Sequence, residues 1–339
     1  MPNRWRALTG YQRLGLLTIV GLLTLVILGG TVRVTDSGLA CPDWPLCNGR
    51  LIPQGDHHVW LEWTHRLAAS LFGFVILAFV IGAVRRYRDR RWVVLPALIG
   101  AVALAIQVVL GGLTVTEKLD AGVLAAHLGT AMLIVLLMLT AWLATFVPRV
   151  DGSAADQRRL ADRAQSPTRA ARRMAWMAGL TALGVYTLIV LGGYVSGTDA
   201  GFFCDGDWPL CNGELFPEGR NANLQVAHRY LAAFVGLLLF TTVWMAVQRR
   251  HAAPGVFRLA TVVAALFALQ ILLGGLLMWT TLADWARVVH LVTGSATWGT
   301  LVAMTVLAVY DAVRHDSLHR PRPLPAIRPS RSRLGASQR

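Results

Sequence analysis

Four histidines carry the chemistry for which this chain can be read. His65, His127, His228 and His290 each lie inside an apolar stretch of helical length, and they form two pairs with the same separation of 62 residues. An ionisable side chain in such a stretch is costly to desolvate and marks a functional site by default. A single histidine of this kind is explained by a hydrogen bond across a helix interface. Four, paired by a duplicated spacing, fit two sets of opposed neutral imidazoles, the arrangement that holds a haem iron from both sides. Zinc fits less well, because each half offers no further ligand at that level apart from Glu62. His57, His58, His251, His315 and His319 fall in loops or tails and read as solvated.

Glu62 precedes His65 by three residues, so both share one face if the helix already includes Glu62. A carboxylate beside a haem edge can act as a base or stabilise positive charge developing on carbon. The structural alternative is an interface carboxylate paired with Arg66 or Arg33. The second half reads Gln225-Val226-Ala227-His228-Arg229 where the first reads Glu62-Trp63-Thr64-His65-Arg66, so the charge is present in one copy only. That asymmetry suggests one chemically active haem site and one electron-carrying site. Arg66 and Arg229 are candidate contacts for haem propionates, although snorkelling to the interface accounts for them equally well. Gln107 and Gln270 read as interhelical hydrogen-bonding groups. Gly29-Gly30, Gly111-Gly112, Gly192-Gly193 and Gly274-Gly275 allow close helix approach and leave room for a flat macrocycle. All four cysteines fall in two loops, and an oxidising face favours the disulfides Cys41–Cys47 and Cys204–Cys211. Staples over the bundle mouth are one reading and redox-active thiol pairs the other; the spacing is wider than C-x-x-C.

The elements that position these residues follow from composition. The chain has 339 residues, 55% hydrophobic and 15% charged, with a mean hydropathy of +0.52. This excludes a soluble enzyme, a secreted disulfide scaffold and a disordered chain. Apolar stretches at 13–33, 62–84, 92–114, 122–147, 174–195, 225–248, 257–280 and 286–313 match the length a helix needs to cross a bilayer. The fold expected is an all-α integral membrane protein with eight transmembrane helices. The net charge of +14 rests on 31 Arg and one Lys clustered between the stretches, which reads as topology and not as a nucleic-acid footprint. Residues 1–12, 85–91, 148–173, 249–256 and 314–339, with Arg13, Arg258 and Asp311 at span ends, hold 25 basic residues against 6 acidic. The other side holds 7 against 12, which places both termini in the cytoplasm and the protein in the plasma membrane. The first stretch lacks a cleavage site and reads as a retained helix.

The two halves are copies. LGGTVRVTDSGLAC, ending at Cys41, aligns with LGGYVSGTDAGFFC, ending at Cys204, at an offset of 163, and DWPLCNG recurs after a one-residue insertion. The histidines, Arg66/Arg229, Gln107/Gln270 and the glycine pairs keep the same offset. A repeat of four helices preserves orientation, so the expectation is a parallel repeat of two pseudo-symmetric four-helix bundles. The domains expected are 1–147, a linker at 148–173, a second bundle at 174–313, and a disordered tail at 314–339.

Together, E-x-x-H-R in the first half, H-R in the second, two further histidines and paired cysteines in D-W-P-L-C loops resemble the haem A synthase family, over roughly residues 14–313. The resemblance implies an enzyme that oxidises the C8 methyl of haem O to a formyl group, making haem A for terminal oxidases. It implies that His228 and His290 hold a haem b cofactor. His65 and His127 then take the substrate haem, with Glu62 as the matching acidic residue. It also implies membrane lipid as surroundings, haem O synthase as donor, terminal oxidase assembly as recipient and no nucleic acid; a homo-oligomer is left open. A dihaem b-type electron carrier to quinone and a membrane thiol–disulfide exchanger are the other classes the residues allow.

Overall fold

A computed structural model describes residues 8–147, 168–204 and 206–319. Its long helices, in chain order, are α1 (Gly10–Val34), α2 (His57–Arg86), α3 (Arg91–Thr116), α4 (Ala121–Ala144), α5 (Thr168–Gly197), α6 (Arg220–Gln248), α7 (Pro254–Trp279) and α8 (Asp284–His319). A 3-10 turn covers Ala200–Cys204. All eight are long and apolar enough to span a membrane, where the helix satisfies its own backbone groups.

Helix starts follow capping and not the edge of the apolar run. The Asp56 carboxylate accepts the amides of His58 and Val59 at 3.0 and 3.2 Å, so α2 begins at His57, five residues before the apolar stretch. These two amide bonds, Val59 first, hold the Asp56 carboxyl below its ordinary range. Asp120 caps α4 in the same way through Gly122 and Val123. Three expectations are corrected as a result. His57 and His58 belong to α2, and residues 168–173 are the first turns of α5 and not linker. Helix α8 runs to His319, so residues 314–319 of the expected tail are helical. Hydropathy marks membrane thickness, whereas a helix continues wherever its backbone bonds do. Residues 148–167 and 320–339, with the rest of the expected linker and tail, lie outside the described residues.

Each half closes a ring of four helices. Helices α1 and α3 both pack on α2 and α4, and α5 and α7 both pack on α6 and α8. The halves meet through α4 against α5 and α8, and through α1 against α8. Accordingly α4 and α8 are the most buried spans, at 44% against 22% for α2, α3 and α6. Two glycine notches make the contact reciprocal: Leu291 of α8 fills the space beside Gly30 of α1, and Leu128 of α4 fills that beside Gly193 of α5. Across the same boundary the Trp298 indole donates to the Met132 carbonyl at 3.0 Å and Arg33 donates to the Ser196 carbonyl at 2.8 Å.

Local backbone features recur at matching positions. Asp36 and Asp199, Lys118 and Thr281, and Leu119 and Leu282 all take positive φ, each pair 163 apart. Asn48-Gly49 and Asn212-Gly213 are also left-handed, the requirement of a tight type I′ turn, and they close the bridges Cys47–Arg50 and Cys211–Glu214.

Candidate functional site

Helix geometry sets the four histidines at matched depth. His65 and His228 stand eight residues into α2 and α6, and His127 and His290 six residues into α4 and α8. At a rise of about 1.5 Å per residue they lie roughly 9–12 Å below the helix starts, near the end of each bundle that carries the cysteine loops. His65 and His127 stand on α2 and α4 of the first bundle, and His228 and His290 on α6 and α8 of the second, so each bundle carries one of the pairs expected from spacing.

Each of these rings is half-buried, and the Nδ1 atom of each is buried without a hydrogen-bond partner among the described residues. A buried nitrogen left unpaired is costly unless something outside the chain takes it up. The Gln107 amide lies 3.3 Å from Nε2 of His127, which makes it the cross-helix bond expected of it. Gln270 instead lies against Gly294. Glycines provide the space for the rings. A Cβ on Gly29 or Gly192 would stand 3.0 Å from Cε1 of His65 or His228, and one on Gly111 3.3 Å from Cε1 of His127. The first residue of each glycine pair thus faces a histidine.

The second residue of a pair does other work. Gly30 and Gly193 take the leucines of the opposite bundle, while Gly112 and Gly275 receive the indoles of Trp44 and Trp208, at 3.3 and 3.5 Å from their Cβ positions. Those tryptophans belong to the two cysteine loops, which are closed by the disulfides Cys41–Cys47 and Cys204–Cys211, each with 4.7 Å between Cα atoms. Asp43 ties its loop by accepting the amides of Gly49 and Asn48, which hold its carboxyl below the ordinary range; Asp207 accepts that of Gly213 at 2.7 Å.

Glu62 is 4% exposed. Its Oε2 accepts the Cys41 amide at 2.8 Å and its Oε1 pairs with Arg66. Arg66 also donates to the carbonyls of Cys41, Asp43 and Leu46, at 3.0, 2.7 and 2.6 Å. Carboxylate and guanidinium together pin the first disulfide loop onto α2. The second half does this differently. Arg229 donates to the carbonyls of Pro209 and Leu210 and to the sulfur of Met278, and Gln225 donates to the Gly201 carbonyl and the same sulfur. Both arginines expected near propionates are thus seen bound to loop carbonyls. The sequence reading missed His58, which is half-buried with its Nδ1 2.8 Å from the hydroxyl of the buried Ser37. Asp56, an N-cap residue one turn ahead of a helical run, was the available signal.

Comparison with known proteins gives a consistent result. Residues 12–302 match the COX15-CtaA family, described as cytochrome oxidase assembly protein. The chain is 31% identical to a heme A synthase of Exiguobacterium sp. over 67% of this chain and 69% of that protein. It is 30% identical to a heme A synthase of Symbiobacterium thermophilum over 85% and 92% of the two chains. With a heme A synthase of Bacillus pumilus it shares 26% identity over 87% and 94%.

Proposed function

The chain belongs to the COX15-CtaA family of cytochrome oxidase assembly proteins, and from that premise we propose that it is a haem A synthase. It is an oxidoreductase that converts the C8 methyl of haem O to a formyl group by two successive hydroxylations. One observation carries the reading: two bundles match in their histidines, arginines and disulfides, but only the first has a buried carboxylate, Glu62, where the second has Gln225. His65 and His127 take haem O as substrate, and His228 and His290 hold haem b. The unpartnered Nδ1 atoms leave a polar group for something outside the chain to satisfy, and Gly29 and Gly192 give the rings of His65 and His228 room within their bundles, as residues holding an iron would need. When bound, haem b supplies one-electron transfer.

Were His65 and His127 to hold the substrate iron from both sides, it would have no site open to dioxygen and water would supply the oxygen atom. Each round would then release two protons and two electrons, the electrons leaving singly by way of haem b to an external one-electron acceptor. Glu62 stabilises positive charge on the methyl carbon or takes the proton of the attacking water. A second round yields a gem-diol, which loses water to become the aldehyde. Arg66 holds the carboxylate in place, and the loop clamped by Cys41–Cys47 keeps Trp44 against Gly112. The substrate arrives from a membrane haem O synthase and the product passes to terminal oxidase assembly. Extracting and chromatographing the haems of protein purified from cells that make haem O tests the reading. Haem b together with hydroxylated or formylated haem is expected; haem b alone in both sites would establish a dihaem electron carrier instead.

The charge pattern supports a plasma-membrane topology with both termini cytoplasmic and the disulfide loops outside. In intact cells a membrane-impermeant thiol reagent is expected to label Cys41, Cys47, Cys204 and Cys211 only after reduction. Labelling without reductant would mean free outer thiols and would favour the thiol–disulfide exchanger. No labelling after reduction would reverse the topology.

A further inference from the structure

We propose that His58 is the proton acceptor behind Glu62, passing to the water at the disulfide end the protons that Glu62 collects; this rests on the role of Glu62 given above. The segment between α1 and the first disulfide straps across one face of α2 with two matched contacts. Ser37 Oγ meets His58 Nδ1 at 2.8 Å, and the Cys41 amide meets Glu62 Oε2 at 2.8 Å. His58 and Glu62 are four residues apart on α2, so they stand one turn apart on one face. His58 is the one nearer the helix start and the solvent.

Hydrogen-bond accounting fixes which nitrogen of His58 is free. Thr35 Oγ1 lies 2.8 Å from the Thr31 carbonyl, Thr35 Oγ1 lies 2.8 Å from Ser37 Oγ, and Ser37 Oγ lies 2.8 Å from His58 Nδ1. One assignment puts a proton in each of these three short contacts, while the longer approach of Ser37 Oγ to the Thr35 carbonyl, at 3.4 Å, competes for the same Ser37 proton. Thr35 donates to the Thr31 carbonyl, Ser37 donates to Thr35, and His58 Nδ1–H donates to Ser37. Neutral His58 therefore carries its proton on Nδ1 and keeps Nε2 as an acceptor. Taking up a second proton there disturbs no bond in the chain. In the transfer, the O–H bond of protonated Glu62 breaks and an N–H bond forms at His58 Nε2, solvent water carrying the proton across the helix turn between them. Loss of that proton to bulk water resets the pair.

The second half lacks the device together with the carboxylate. At the offset of 163, Ser37, His58 and Glu62 are replaced by Ala200, Asn221 and Gln225, whereas Thr35 is kept as Thr198. A strap needed only for structure would have reason to persist in both copies. The charged and titratable groups around His58 are His57, whose ring centroid is 3.9 Å away, the cap Asp56, Glu62, and on the strap Asp36, itself paired with Arg33.

The test compares His58→Asn, the residue of the second half, and Ser37→Ala with the wild type, all as purified haem-loaded protein and in membranes. Nitrogen-15 NMR of labelled histidine should show a neutral Nδ1–H tautomer that disappears in His58→Asn and is released to the ordinary mixture in Ser37→Ala. The initial rate of haem O oxidation should fall about tenfold or more in His58→Asn, with haem content unchanged. A histidine acceptor works only when neutral, so the wild-type rate should drop on acidification, and that acid limb should vanish in the variant. An unchanged rate in His58→Asn while Glu62→Gln is inactive would overturn the relay alone. A lowered rate with the acid limb intact would make His58 a structural pin and also overturn it. Normal rates in both variants would mean that the role assigned to Glu62 had failed first.

Discussion

Glu62→Gln should lower haem A formation by about 10²–10⁴, the loss typical of removing one positioned base or charge. The substitution keeps size and one acceptor, so the Cys41 amide can still be satisfied, and Arg66 retains three loop carbonyls. It removes the negative charge and turns an amide donor towards Arg66, so part of the loss can come from a looser loop. Two controls separate the causes. The thiols of Cys41 and Cys47 should remain inaccessible without reductant, and haem b should be retained, because its ligands lie in the other bundle. Wild-type haem A levels would leave Glu62 as a clamp for the disulfide loop. Loss of both haems together would show that the carboxylate holds the fold.

Replacing His228 or His290 with Ala is expected to abolish the low-spin haem b spectrum, whereas His65→Ala and His127→Ala should leave it in place. Truncation removes the one ring that each of α6 and α8 offers at that level, and no group of three or more histidine, cysteine or acidic side chains placed to hold a metal ion occurs among the described residues. Haem A formation should be lost in all four variants, for different reasons. Absorbance of the reduced protein together with haem extraction distinguishes them. An unchanged low-spin spectrum in both His228→Ala and His290→Ala would remove the second-half ligand assignment.

The spans and the pairing of histidines were legible because both are written in local order: apolar length for the helices and a constant offset for the copies. The jobs of the glycine pairs were not. Gly29 and Gly30 look equivalent in sequence, yet one faces His65 and the other takes Leu291 from the opposite bundle. That division depends on how two rings of helices dock, which no spacing within one helix encodes. Arg66 and Arg229 share a motif and share loop carbonyls as partners, but among the described residues Arg66 makes an ion pair with Glu62, while Arg229 turns to the Met278 sulfur. The Glu62/Gln225 difference was visible as chemistry; its consequence for the loops appears only once the strap is folded back on α2. His58 was misplaced because hydropathy begins α2 at Glu62, whereas the cap at Asp56 begins it a turn and a half earlier.

The central claim is that this chain oxidises the methyl group of haem O. Its most direct test is a time course in membranes containing the chain and supplied with haem O, with the extracted haems resolved by mass. The account predicts loss of haem O, transient appearance of a haem bearing one added hydroxyl, and then the formyl product, all slowed by about 10²–10⁴ in Glu62→Gln. Haem O recovered unchanged from membranes in which haem b is present and redox-active would contradict it.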